Sequence, residues 1–230
     1  MILNRPSLAA GAAAVIVGLG ISSLAQAQST PPADPQRGAI IAAQGTAAGA
    51  PGCAQCHAFS GASDGSGAFP RVAGHSEFYL LKQLRDFSSD VRDNAVMSPI
   101  ARALTPQDVV DVAAYYAGQH PPFLPLPQPD AALVKQGKQL ATVGDEGRGI
   151  QSCNNCHGPG GAGEPPAIPY LAGQYAPYIA LELRMWQRGF RKSSPTEMAY
   201  ISKQLTDQEI EAVAAYYQQV RGPGEVAASK

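Results

Sequence analysis

Two short stretches, Cys53-Ala54-Gln55-Cys56-His57 and Cys153-Asn154-Asn155-Cys156-His157, decide the fold of this chain. They start 100 residues apart, and in each of them two cysteines are followed directly by a histidine. Other segments repeat in the same order, such as Val112-Ala113-Ala114-Tyr115-Tyr116 and Val213-Ala214-Ala215-Tyr216-Tyr217. A repeat of this length indicates two homologous domains, each of about ninety residues.

The Cys-x-x-Cys-His pattern is the attachment signal for haem c. Two thiols on one helical turn can each form a thioether with a vinyl group of the same haem, and the adjacent histidine can then bind the iron. We therefore predict two covalently bound haem c groups, with His57 and His157 as iron ligands. The predicted attachment residues are Cys53, Cys56, Cys153 and Cys156.

Other uses of the four cysteines explain less of the sequence. A zinc site with four cysteine ligands would join the two repeats through one metal and leave both histidines without a role. Two local disulfides, which are usual in exported proteins, would ignore the histidines as well. Two thioredoxin-like redox motifs need a βαβ pattern, and the sequence has none.

A second axial ligand is expected downstream of the cysteines in each half. Met97 and Met198 each stand eight residues before the threonine that starts the last helix, Thr105 or Thr206. This matched spacing predicts that both methionines bind iron, each from a loop that leads to the last helix, although core packing is the alternative. With both axial positions filled by protein, no small-molecule substrate is expected at the irons, which favours electron transfer over catalysis.

Helical patterns account for both halves, so the predicted fold class is all-α, with two tandem domains that each wrap around a covalent haem c. The last helix of each half begins with a capping-box pattern, Thr105-x-x-Asp108 or Thr206-x-x-Glu209. Ile210, Val213, Ala214 and Tyr217 then recur at helical spacing. The predicted earlier helices include residues 38–41 and 77–87 in the first half, and 134–140 and 178–186 in the second.

The N-terminus has the features of an export signal. Arg5 precedes the apolar run 8–24, and Ala25-Gln26-Ala27 fits a small-x-small cleavage site. We predict a signal peptide over residues 1–27, cleaved after about Ala27, and a periplasmic location. An uncleaved membrane anchor is the alternative, because the apolar run is near the lower length for a span.

The predicted mature chain has three parts: an N-terminal domain over residues 28–120, a linker over 121–130 and a C-terminal domain over 131–230. The linker is rich in proline and is expected to be an extended, semi-rigid spacer. The chain has 17 basic and 18 acidic residues, and this net charge of −1 gives no electrostatic reason to expect a nucleic-acid partner. With 24 glycines and 20 prolines, each domain has little apolar material for a core, and a bound porphyrin would supply it.

The repeat, the two attachment motifs, the Pro-x-Leu/Val-Ala-Gly segments and the methionine spacing resemble the dihaem cytochrome c4 family. The resemblance covers residues 38–217 and extends to the dihaem subunit of flavocytochrome c sulfide dehydrogenases. It implies class I cytochrome c domains in which the first and last helices cross. Specifically, it implies that Gly38 packs against Val112 and Tyr115, that Gly137 packs against Val213 and Tyr216, and that the carbonyls of Pro70 and Pro169 accept hydrogen bonds from Nδ1 of His57 and His157.

By this resemblance the protein is an electron carrier and not an enzyme, and its partners are redox proteins. It would carry electrons in the periplasm from a quinol–cytochrome c oxidoreductase or a dehydrogenase to a terminal oxidase or reductase. The alternative is an electron-accepting subunit of a dehydrogenase complex, such as flavocytochrome c sulfide dehydrogenase. A thiosulfate-oxidising cytochrome would use a cysteine as haem ligand, and here all four cysteines are assigned to haem attachment.

Arginines at equivalent positions of the repeat, Arg92 and Arg191, are candidate contacts for the haem propionates, with solvated surface arginines as the alternative. Arg188, Arg191 and Lys192 lie near the distal methionine of the second domain in sequence. Because oxidation adds a positive charge to the iron, these cations are expected to raise the potential of the second haem.

The duplicated motif predicts two covalent haems per chain. The intact mass of the mature holoprotein should exceed that of the polypeptide by two haem masses, and acid–acetone should extract neither haem, because thioether bonds hold them. A mass increment of one haem, or none, would contradict the assignment.

Overall fold

The computed structural model describes Met1 and residues 31–221, so the predicted signal peptide lies outside the described residues apart from Met1. Helices dominate the described part, and their order is the same in both halves. The first half contains α1 Pro35–Gln44, α2 Ala54–His57, α3 Glu77–Ser88, α4 Met97–Arg102 and α5 Pro106–Ala117. The second half contains α6 Ala131–Thr142, α7 Asn154–His157, α8 Ala176–Gln187, α9 Met198–Gln204 and α10 Asp207–Gln219.

The second half has small additional elements between its helices. A two-residue strand, β1 Gly144–Asp145, pairs antiparallel with β2 Ile150–Gln151. Two 3-10 turns cover Glu146–Arg148 and Pro159–Gly161. These elements do not change the predicted all-α class, which the structure confirms. None of the described helices is long and apolar enough to cross a membrane.

The first and last helices of each domain cross at very short distance, as the resemblance implies. A Cβ atom at Gly38 of α1 would lie 2.1 Å from the carbonyl oxygen of Asp111 and 2.9 Å from Cβ of Tyr115 in α5. A Cβ atom at Gly137 of α6 would lie 1.9 Å from the carbonyl oxygen of Ala212 and 2.9 Å from the backbone nitrogen of Val213 in α10. Glycine is therefore required at both crossings, because any side chain would push the helices apart.

Carboxylates at the start of the last helices also tie each domain together. Both predicted capping boxes are present, with Thr105 and Asp108 on α5 and Thr206 and Glu209 on α10. Asp108 also forms an ion pair with Arg37 of α1, and Glu209 forms one with Arg148. Hydrogen bonds from Arg148 lower the pKa of Glu209 to about 2.

The prediction that Met97 and Met198 lie in loops is wrong, because each methionine is the first residue of a short helix. In the first domain the side chain of Asn94 accepts the backbone N–H groups of Val96 and Met97, each at 2.9 Å, and so starts α4. In the second domain the Ser194 hydroxyl lies 3.5 Å from the backbone nitrogen of Met198. These local side-chain acceptors favour helix initiation at both places.

The proline-rich linker is held along its first residues. The Arg71 guanidinium of the first domain donates hydrogen bonds to the carbonyls of Pro121 and Pro122, and it lies 4.5 Å above the ring of Phe123. Residues 119–130 form neither helix nor strand. These contacts agree with the predicted semi-rigid spacer, while the exact domain boundaries remain predictions.

The close crossing of α6 and α10 predicts a large effect for Gly137→Ala. The added methyl group would overlap a backbone carbonyl, so the free energy of unfolding of the holoprotein should fall by about 1–3 kcal/mol. Gly118→Ala is the matched control, because Gly118 has an ordinary φ of −81° and its nearest atoms would be 3.6 Å from the new Cβ. Thermal or denaturant unfolding measures both variants, and equal stability would show that the close crossing is not needed.

Candidate functional site

Both attachment motifs form a single helical turn. In each of them the backbone N–H of the histidine donates to the backbone carbonyl of the first cysteine at 2.9 Å, from His57 to Cys53 and from His157 to Cys153. The turn brings the two cysteines, three residues apart, and the adjacent histidine of each motif together. Cys53 packs against the core of the first domain and Cys153 against that of the second, so each predicted attachment site lies at the edge of a core.

Both histidine rings are buried and oriented by a proline carbonyl. Nδ1 of His57 lies 3.1 Å from the Pro70 oxygen, and Nδ1 of His157 lies 2.8 Å from the Pro169 oxygen, which confirms the two contacts that the resemblance implies. A proton on Nδ1 leaves Nε2 as the nitrogen able to bind a metal. Burial lowers the pKa of both rings, and the Arg191 charge lowers that of His157 further, so both favour the neutral form that ligates iron.

A backbone loop fixes each proline carbonyl. In the first domain the carbonyl of Gly61 accepts the N–H groups of Val72 and Ala73, and in the second domain that of Gly161 accepts those of Leu171 and Ala172. The hydrogen bonds hold the Pro-x-Leu/Val-Ala-Gly segment beside the attachment turn. This arrangement explains how the proline of that segment can orient the histidine, which stands more than ten residues earlier in the sequence.

Met97 and Met198 lie on α4 and α9, which pack against α3 and α8 respectively. Both methionines are half-buried, and Met198 contacts the core of the second domain together with Cys153. Their positions are equivalent in the repeat. Their role as iron ligands stays a prediction.

Arg92 and Arg191 are buried between the two domains, each with 5% of its surface exposed, so the alternative that they are solvated surface residues is wrong. Their backbones form an antiparallel bridge. Arg191, one of the three cations expected to raise the potential of the second haem, is paired with Glu182, and its effect on the potential stays a prediction. Arg188 and Lys192, the other two cations in that argument, are exposed.

A second set of contacts joins the domains just before the start of α3. The ring of His75 stacks on that of Tyr170 at 3.9 Å and 11°, and Tyr170 donates its hydroxyl to the carbonyl of Ala73 at 2.7 Å. The Gln174 side chain bonds both the backbone N–H and the backbone carbonyl of Arg71. His75 directly precedes Ser76, the N-cap of α3, and burial lowers its pKa to about 3. The two domains therefore share a specific and mostly polar interface.

The residues present fit two haem c groups. Each half supplies a pair of unbridged thiols on one turn and a neutral, oriented imidazole. At the interface, Nε of Arg191 and Nδ1 of His75 are buried nitrogen atoms with no hydrogen-bond partner among the described residues. A guanidinium N–H suits a carboxylate acceptor such as a haem propionate, which agrees with the predicted role of Arg191.

Comparisons with known proteins match both halves. The family model "Cytochrome c" matches residues 36–117, and the model "Cytochrome C oxidase, cbb3-type, subunit III" matches residues 146–216. The "Thiosulfate dehydrogenase electron acceptor" of Stutzerimonas stutzeri (strain A1501) is 37% identical, over 87% of this chain and 93% of its own.

Solved structures give the same result. A reduced recombinant cytochrome c4 from Pseudomonas stutzeri superposes with a TM-score of 0.71 at 31% identity, covering 82% of this chain and 100% of its own. A thiosulfate dehydrogenase from Marichromatium purpuratum has a TM-score of 0.76 at 36% identity and is matched over 81% of this chain. This chain spans 40% of the length of that enzyme.

The fold and the paired sites define a c-type cytochrome with two domains, which carries two covalent haem c groups and transfers electrons. Within that class, the chain belongs to the cytochrome c4 family.

Sequence reasoning missed the partners of the two buried arginines. Gln83 of α3 and Glu182 of α8 stand at equivalent positions of the repeat, 99 residues apart, and both side chains are buried. The available signal was a polar residue at the same place in two amphipathic helices. A single sequence does not show that these two faces meet each other.

The methionine assignment predicts the behaviour of two variants. Ferric iron with a thioether ligand gives a weak near-infrared charge-transfer band, so Met97→Ala and Met198→Ala should each remove about half of it. Each variant should also lower one potential, because loss of the thioether removes a ligand that favours ferrous iron. Met185→Ala is the control. Met185 is half-buried on α8 and does not align with Met97 in the repeat, so this variant should keep the full band. A full band in Met97→Ala or in Met198→Ala would exclude that residue as a ligand.

Proposed function

We propose that this protein accepts electrons from a thiosulfate-oxidising dehydrogenase and passes them to a further redox protein in the periplasm. The observation that carries the proposal is the similarity, over nearly the whole length of both chains, to a thiosulfate dehydrogenase electron acceptor. The likeness to part of the Marichromatium purpuratum thiosulfate dehydrogenase supports it, because that enzyme contains a region similar to most of this chain.

In this proposal the protein's residues hold the redox groups and keep their surroundings fixed. Cys53 and Cys56 attach one haem, and Cys153 and Cys156 attach the other. His57 and Met97 are the axial ligands in the first domain, and His157 and Met198 are those in the second. The bound haem supplies a one-electron couple between ferric and ferrous iron.

The geometry of the two histidines supports the role of an electron carrier, because it indicates that the haem surroundings change little when an electron is gained or lost. Each ring is buried and bonded to a proline carbonyl that a glycine-centred loop holds in turn. A ligand with a fixed orientation changes little when the charge on the iron changes. Such rigidity favours rapid transfer without chemistry on a bound molecule.

Thiosulfate chemistry is assigned to the partner protein. All four cysteines are used for haem attachment in the proposal, and the methionines complete the axial positions, so neither iron offers a site for a sulfur substrate. The chain then acts as the electron-accepting component of a dehydrogenase system. The predicted signal peptide over residues 1–27 supports a periplasmic location, where such a partner would meet it.

A second candidate is respiratory transfer from a quinol–cytochrome c oxidoreductase to a terminal oxidase or reductase. The cytochrome c4 likeness favours it, and it requires the same two haems. A third candidate donor is a flavocytochrome c sulfide dehydrogenase, whose dihaem subunit this chain resembles. These candidates differ in the electron donor.

A stopped-flow experiment distinguishes the donors. The oxidised holoprotein is mixed with thiosulfate and a purified thiosulfate dehydrogenase, and reduction is followed at the haem α-band. Both haems should be reduced in the complete mixture, because the dehydrogenase delivers the electrons. Thiosulfate alone should leave the protein oxidised, because both axial positions are filled.

Two further mixtures complete the test. Sulfide with its flavoprotein dehydrogenase, and quinol with its cytochrome c oxidoreductase, should each reduce the protein more slowly than the thiosulfate system. Faster reduction by either of them would assign the protein to that donor and contradict the proposal.

A further inference from the structure

Four polar side chains from both domains form a buried cluster with approximate twofold symmetry. Gln83 and Arg92 come from the first domain, and Glu182 and Arg191 stand at the equivalent positions of the second. All four residues have less than a tenth of their surface exposed. The symmetry is broken at one pair of positions, where the first domain has a neutral amide and the second has a carboxylate.

Each of the two helix residues bridges both arginines. Oε1 of Gln83 accepts hydrogen bonds from Nη1 of Arg92 and Nη2 of Arg191, both at 2.9 Å. One carboxylate oxygen of Glu182 lies 2.5 Å from Nη2 of Arg92, and the other lies 2.6 Å from Nη1 of Arg191. The amide and the carboxylate therefore occupy interchangeable places in one network.

Aromatic groups complete the cluster. Arg92 lies 4.4 Å above the Phe87 ring, and Arg191 lies 3.8 Å above the Trp186 ring, again at equivalent positions. The hydroxyl of Tyr178 accepts a hydrogen bond from Arg92 at 2.6 Å. These contacts fix the guanidinium groups between the domains and exclude water from them.

The charges in this cluster do not cancel. Burial alone would raise the pKa of Glu182, but the two guanidiniums lower it below its ordinary value, so the carboxylate is ionised. Among the protein side chains, before any propionate at Arg191 is counted, two guanidiniums and one carboxylate leave one surplus positive charge in a region of low dielectric constant, where charges act over longer distances than in water. The charge of Arg191 acts on the ring of His157 as well.

We propose that Glu182 is a positioning residue that lowers the reduction potentials of both haems, because it is the carboxylate shared by Arg92 of one domain and Arg191 of the other. A buried positive charge favours ferrous iron, and Glu182 neutralises one of the two positive charges of Arg92 and Arg191. The inference rests on the proposed haem sites. It goes beyond the proposed function by naming Glu182 as one side chain whose charge affects the reduction potentials of both haems.

Two single variants change the net charge of the cluster, and a double exchange restores it, all with side chains of nearly the same shape. Glu182→Gln leaves two positive charges, Gln83→Glu leaves none, and the double exchange Gln83→Glu with Glu182→Gln keeps one. Potentials are measured by optical redox titration of the holoprotein, with NMR signals of the haem methyl groups assigned to each domain. Thermal unfolding is recorded for every variant.

Both potentials should rise in Glu182→Gln and fall in Gln83→Glu. At a fixed ambient potential the ratio of reduced to oxidised haem should change on the order of threefold to tenfold, the size expected for one unit charge in a protein interior. The second haem should respond more strongly, since the charge of Arg191 acts on its histidine ligand His157, whereas burial and the Pro70 carbonyl account for the shift at His57. The double exchange should return both potentials close to those of the wild type.

A purely structural role for Glu182 predicts a different pattern. Loosening of the interface would not give opposite shifts in the two single variants, nor recovery in the double exchange. Glu211→Gln is the control, because Glu211 is an exposed carboxylate paired with Arg184, and its removal should leave both potentials nearly unchanged. Shifts in Glu182→Gln and Gln83→Glu no larger than those of this control would overturn the proposal.

The haem assignment is checked on the same samples. If Glu182→Gln does not fold, Gln83→Glu alone decides the proposal, because it adds a charge partner and removes none. Two haems by mass with unchanged potentials would refute the role of Glu182 and leave the proposed function intact. Fewer than two haems by mass would contradict the proposed function, and this inference would fail with it.

Discussion

Each domain of this protein has to enclose a flat ligand larger than any of its side chains with about ninety residues of chain. In the first domain the fully buried part of the main core consists of Ile41, Ala42, Val112, Tyr115 and Tyr116. A core of this size cannot offset the conformational entropy of the chain without the apolar surface of the porphyrin. The covalent attachment turn, the histidine fixed by a proline carbonyl and the glycine crossing of the outer helices all follow from that requirement.

The duplicated sequence explains why so much of the architecture could be predicted. A capping box at Thr206 and an apolar stripe on α10 identify a helix by themselves, and the repeat then transfers the assignment to α5. The proline contacts to His57 and His157 came from a family resemblance, and the structure confirms them. Features that depend on local backbone or on motif spacing were therefore accessible from one sequence.

Features that depend on contacts between the domains were not accessible. An arginine in a single sequence is usually taken to face solvent, but Arg92 and Arg191 are buried, and each of them has a polar partner from the other domain. One local feature was missed as well, because the helical start at Met97 depends on the side chain of Asn94, which accepts two N–H groups. Neither fact follows from hydrophobic periodicity, since both depend on where a single polar side chain points.

The interface shows how two copies of one fold come to differ. Gln174 holds the backbone of Arg71, while its equivalent in the other domain, His75, stacks on Tyr170, which is the equivalent of Arg71. Gln83 and Glu182 differ in the same way within the arginine cluster. The predicted axial ligands are the same in both domains, so a difference between the haems has to come from side chains around them. The interface concentrates such differences in the one region that both domains share, where a single substitution acts on both haems at once.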